Sequence, residues 1–134
     1  MKRSTCVGLW ILAGTLALAA CESADDTTFA GAYSGDGVDS QSSSNRKEFT
    51  LHVADLGTAV TGTYQIKAIL VDTSGSVAGT LNGSALELVL TPAAGVNDCP
   101  YRVTGTWHGN RITGSYAAFN CFVRSDGTLS LEKR

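Results

Sequence analysis

The chain has no basic surplus. Lys and Arg number 10 against 12 Asp and Glu, for a formal net charge of −2. A nucleic-acid-binding surface normally carries an excess of positive charge, so that partner class is set aside. Long apolar runs are also missing. The longest, residues 7–20, is too short to span a bilayer comfortably. From Phe29 onward no helical period persists beyond a turn or two. Catalytic signatures are few. There is no Gly-x-Ser-x-Gly elbow, Cys-x-x-Cys pair, His-Glu-x-x-His helix, phosphate loop or dinucleotide-binding Gly pattern. Of the 2 histidines, His52 falls on an outward strand face and His108 at a turn. These gaps leave a small domain that is expected to be non-catalytic, with no cofactor and no metal.

The N-terminal residues supply an address. Lys2 and Arg3 precede the apolar run, which ends Leu18-Ala19-Ala20-Cys21. This reads as an export signal over residues 1–20. The last four residues resemble the lipobox of bacterial lipoproteins, where small residues fit the lipoprotein signal peptidase. The resemblance implies that Cys21 becomes the acylated first residue and joins the protein to a membrane. An ordinary secretory signal cut nearby is the alternative. Residues 21–28 read as a short polar tether, and residues 29–134 as the domain. By resemblance to proteobacterial lipoproteins, Glu22 rather than Asp after the lipid-bearing Cys implies the outer membrane, facing the periplasm.

The same reading sorts the 4 cysteines. Cys6 leaves with the signal and Cys21 takes lipid. Cys99 and Cys121 remain as an even pair in an oxidising compartment, where a disulfide is expected. Closing that loop would stabilise the fold by roughly 3 kcal/mol in the chain-entropy view. A two-Cys metal site is the alternative, without His partners nearby.

One pattern recurs five times in the domain: apolar, small, Gly, small, large. It appears around Gly31, Gly62, Gly79, Gly105 and Gly114. On a strand it places a large residue, a bare Gly and another large residue on one face. Alternation predicts strands over 28–34, 46–55, 59–70, 76–82, 84–91, 99–108, 111–122 and 128–133. The turns are expected at Asp55–Thr58, Asp72–Gly75, Asn82-Gly83, Gly109-Asn110 and Asp126-Gly127, with longer connections at 35–45 and 92–98. The result is an all-β, eight-stranded antiparallel up-and-down (meander) β-barrel. Inward Gly would allow the sharp bending that closure needs.

The expected interior includes Phe49, Leu51, Val53, Leu88, Val103, Ile112, Phe122 and Leu131. All four tyrosines, Tyr33, Tyr64, Tyr101 and Tyr116, share that face, as does Trp107. If the turn is Gly109-Asn110, paired residues sum to 219 and Gly105 lies opposite Gly114. Cys99 then faces Asn120, so the disulfide requires a one-residue bulge or a Cys99 already off the ladder beside Pro100. The acidic stretch Asp36-Gly37-Val38-Asp39 lacks calcium-loop spacing to Glu48 and reads as a solvated loop, with a ligand-gating or calcium loop as the alternative.

Val60-Thr-Gly-Thr-Tyr64, with Gly31-Ala-Tyr33 before it and Val77-Ala-Gly-Thr-Leu81 after it, resembles the Gly-Thr-aromatic strands of avidin and streptavidin. The resemblance, shared with lipocalin-like barrels, implies the fold. It places Tyr64 at the family's third-strand ligand tyrosine. Gly35 or Asp36 stands where the first loop should offer Asn, and 85–91 lacks the family's Trp, so biotin is not implied. Two functions remain. The first is a barrel whose mouth binds a small apolar or aromatic ligand against Tyr33, Tyr64, Tyr101, Tyr116 and Trp107. The second is a packed barrel acting as a structural or protein-interaction lipoprotein of the envelope, protease-inhibitor-like barrels included. An enzyme would need a polar cluster inside the mouth.

Overall fold

Each short alternating run forms one strand, and the eight follow one another around a closed antiparallel barrel. They are β1 (Gly31–Asp39), β2 (Arg46–Leu56), β3 (Ala59–Lys67), β4 (Asp72–Asn82), β5 (Ala85–Pro92), β6 (Tyr101–His108), β7 (Arg111–Ala118) and β8 (Asp126–Lys133). β1 closes the ring by pairing with β8, from Tyr33 opposite Lys133 to Asp39 opposite Gly127. The computed structural model describes residues 28–69, 72–95 and 98–134. The export signal, Cys6, Cys21 and most of the tether lie outside the described residues.

Alternation decides what is buried. Phe49, Leu51, Val53, Val60, Tyr64, Ile66, Val77, Leu86, Leu88, Leu90, Val103, Ile112, Tyr116, Leu129 and Leu131 form one core along the axis. His52, Glu87, Arg102 and the intervening Thr residues face out. Burying a Leu, Ile or Phe side chain contributes about 1.5–3 kcal/mol, so this inward face supplies the stabilising term.

The inward glycines are where backbone replaces side chain. A Cβ on Gly62 would fall inside contact distance of the His52 carbonyl oxygen on β2. Gly105 and Gly114 face each other across β6 and β7, and a Cβ on either would strike the other's strand backbone. The wall folds in so tightly there that no methyl group fits.

Several expectations are corrected. Asp126-Gly127 and Asp72–Gly75 are strand, not turn. Their glycines answer close approach instead: a Cβ on Gly127 would meet the Val38 carbonyl, and one on Gly75 the Thr91 carbonyl. For the same reason residues 35–39 belong to β1, because Gly35 and Gly37 let β1 run between β2 and β8. The acidic stretch is therefore barrel wall. The two-residue turns fall at 57–58, 83–84 and 109–110, each with its Gly at φ near +60° (63°, 60° and 60°).

The register of 219 holds from Tyr101 opposite Ala118 and continues as Phe119 N–H donates to Pro100 O at 3.1 Å. β7 then ends, and Asn120 adopts a left-handed φ of 50°. This kink brings Cys121 back to Cys99, off the ladder, and the two form a disulfide with Cα atoms 5.7 Å apart. The alternation is lost at the same place. Phe122, expected inside, is fully exposed at 110%.

Gly105→Ala should cost about 3 kcal/mol, the upper range for overpacking, because backbone cannot yield as a side chain does. The outward control Ala78→Ser should stay within about 0.5 kcal/mol. Urea unfolding of both variants checks the contrast; equal midpoints would contradict it.

Candidate functional site: the polar mouth

The two ends of the barrel are built differently. One end holds the three tight turns, Thr28 and Phe29 where the described chain begins, and the C-terminal Arg134. Phe29 plugs it, with ring centroids 5.7 Å from Tyr33 and 5.6 Å, edge to face, from Trp107. The Tyr33 phenol donates to Phe29 O at 2.7 Å. The other end is bordered by residues 40–45, 68–69, 93–95, 98–100 and 119–125 and carries an open pocket of about 400 Å³.

Parity puts charge into this mouth. Lys47 lies two residues before Phe49 and shares its inward face, and Asp39 ends the inward series Tyr33, Gly35, Gly37 of β1. Both are nine-tenths buried, each at 8% exposure. Lys47 Nζ donates to Ser125 Oγ at 2.7 Å and to Asp39 Oδ2 at 3.4 Å, and sits 5.3 Å from the Tyr116 ring centroid. Asp39 Oδ1 accepts the Gln41 N–H at 3.1 Å. Across the mouth, Thr73 donates to Asp98 Oδ2 and the Cys99 N–H donates to Asp98 Oδ1 at 2.7 Å. A buried charge is tolerated only when paired and hydrogen-bonded, and Lys47 meets both conditions.

Tyr101 lines the pocket, with its ring centroid 6.0 Å from that of Tyr116. Tyr64 and Tyr116 are buried in the core behind it, and among the described residues neither hydroxyl has a hydrogen-bond partner. Burial pushes Tyr64 up to about 12, helped by the nearby charges of Asp98 and Tyr101. Burial likewise pushes Tyr116 up to about 12, with Asp39, Tyr101 and Asp126 adding to it. Tyr101 is raised by burial and by Asp98 and Asp39, against a hydrogen bond with Ser125 that lowers it. All three therefore remain neutral donors at physiological pH.

The five aromatic residues picked out from the sequence do not converge. Tyr101 lines the mouth pocket and Tyr64 and Tyr116 lie in the core, whereas Tyr33 and Trp107 pack with Phe29 at the turn end. Tyr33 also has its hydroxyl satisfied there. The polar cluster of Lys47, Asp39, Thr73, Asp98 and Ser125 is the part that sequence reasoning missed. Strand parity was a usable signal for Lys47. Above it the rim is apolar: Ile69 is 77% exposed, Val123 66%, and Phe122 projects beside the disulfide.

Among the described residues, no three His, Cys, Asp or Glu side chains gather as metal ligands. Ser125 Oγ lies 2.7 Å from Lys47 Nζ, the separation of a Ser–Lys pair, with Asp39 Oδ2 3.4 Å from the same nitrogen. Neither protein-family models nor curated proteins match this chain.

The raised phenols make stability depend on pH. An unfolded Tyr ionises near 10, and folded Tyr64 and Tyr116 hold their protons to about 12. The folded state binds more protons in that window, so this contribution is whole below 10 and is lost as pH rises through about 12. Phenolate absorbance at about pH 11 should therefore show protonated tyrosines in the folded protein, with ionisation of the remainder accompanying unfolding. All four tyrosines titrating near pH 10 in an intact barrel would contradict it.

Proposed function

We propose that the protein is a lipid-anchored barrel of the bacterial envelope that binds a small ligand with an apolar or aromatic body in its polar mouth, without catalysis. The observation that carries this reading is the open pocket holding the buried Lys47, at the end of a core whose Tyr64 and Tyr116 hydroxyls are buried with no partner among the described residues. A buried polar group without a partner costs about 1–3 kcal/mol. A barrel that only needed filling would have Phe at both positions. A pocket of about 400 Å³ lies within the range of small-molecule sites.

The described chain enters the barrel beside Phe29, at the turn end. Glu22 continues to favour the outer membrane.

A second reading rests on the rim. Phe122, Val123 and Ile69 are the kind of exposed apolar cluster that meets a protein partner. Loop 119–125, tied down by the disulfide, would then be the contact element, as in an interaction or inhibitor barrel. Native mass spectrometry of the protein purified from its host separates the two. A bound small molecule that is lost on Tyr64→Phe/Tyr116→Phe supports the mouth site. A co-purifying protein lost on Phe122→Ser, with no small-molecule adduct, supports the rim and overturns the ligand reading.

A further inference from the structure

Ion pairing at the mouth is uneven. Lys47 is matched by Asp39. Among the described residues Asp98, lining the same pocket, accepts from the Thr73 hydroxyl and the Cys99 N–H. Among the described residues no ammonium or guanidinium group pairs with it. The site thus offers a carboxylate that lacks a cation. It also holds a Lys whose donors are only partly used, and Arg124, whose guanidinium stands 3.5 Å from Asp126 Oδ1.

We propose that the mouth takes a free α-amino acid with an apolar or aromatic side chain. This rests on the binding reading above and names its ligand class. The α-ammonium pairs with Asp98, and the α-carboxylate takes the remaining donor of Lys47 and the guanidinium of Arg124, which line the same pocket. The side chain lies against Ile66, Ile69 and Val123, on the apolar side of the mouth. A simple carboxylate would leave Asp98 without a cation. A simple amine would satisfy Asp98 but leave the remaining Lys47 donor and Arg124 without a ligand anion. Only a zwitterion answers both deficits, and charge-assisted hydrogen bonds are the stronger kind.

The test uses three probes with one phenyl body and different head groups: L-phenylalanine, 3-phenylpropionate and 2-phenylethylamine. Each is titrated into the purified protein while backbone amide shifts are followed. The amides of Lys47, Tyr101 and Ser125 should move with L-phenylalanine, at an affinity at least about tenfold above that of either analogue. If an analogue binds at the mouth as tightly as L-phenylalanine, the ligand class is overturned and the binding site stands. If none of the three moves the mouth amides, both the class and the site are overturned. Asp98→Asn should weaken L-phenylalanine about tenfold and leave 3-phenylpropionate unchanged or tighter. Equal loss for both probes in that variant would overturn the assigned role of Asp98.

Discussion

The ladder between β1 and β8 is the constraint on which the rest depends. Seven consecutive pairings from Tyr33–Lys133 to Asp39–Gly127 join the first strand to the last and remove every sheet edge. Eight strands closed this way enclose an interior barely wider than its own side chains. The walls must therefore come very close at several points. Glycine at 35, 62, 75, 79, 105, 114 and 127 is the consequence, since each would place a Cβ against a neighbouring strand's backbone. The repeated Gly motif is thus the imprint of closure on the sequence.

Closure also gives the barrel two unlike ends. The three tight turns and Phe29 seal one with aromatic packing. At the other, longer connections leave room for Lys47, Asp39, Thr73, Asp98 and Ser125 around the pocket. The Cys99–Cys121 bridge belongs to this second end. It fastens loop 119–125 and so keeps Ser125 against Lys47, with Asp98 adjacent to its other half. The disulfide therefore links the stability of the fold to the geometry of the mouth.

Much of this was legible in the sequence. Period-two alternation identified the inward face, all four tyrosines included, and the 219 register correctly paired Gly105 with Gly114. What escaped had physical causes. Gly35 looks like a loop residue until the β8 backbone is known to press on it, and Gly37 until the Phe49 and Tyr116 rings are, and that hid Asp39 as a strand residue facing inward. Lys47 shares the phase of Phe49, but a charged residue at a strand's start is ordinarily solvated. Ser125 reaches the mouth only because Asn120 turns left-handed and the disulfide folds the loop back, events that leave no periodic trace. The same kink exposes Phe122, where alternation had placed it inside.

The central claim is that the buried hydroxyls behind the mouth are kept for a ligand and not for the fold. It is tested most directly by the stability of Tyr64→Phe, Tyr116→Phe and the double variant in urea. Removing an unpartnered buried hydroxyl should leave stability unchanged or raise it by up to about 1 kcal/mol per site. A loss of more than about 1.5 kcal/mol at either position would mean that the hydroxyl is hydrogen-bonded within the native fold. That result would contradict the account.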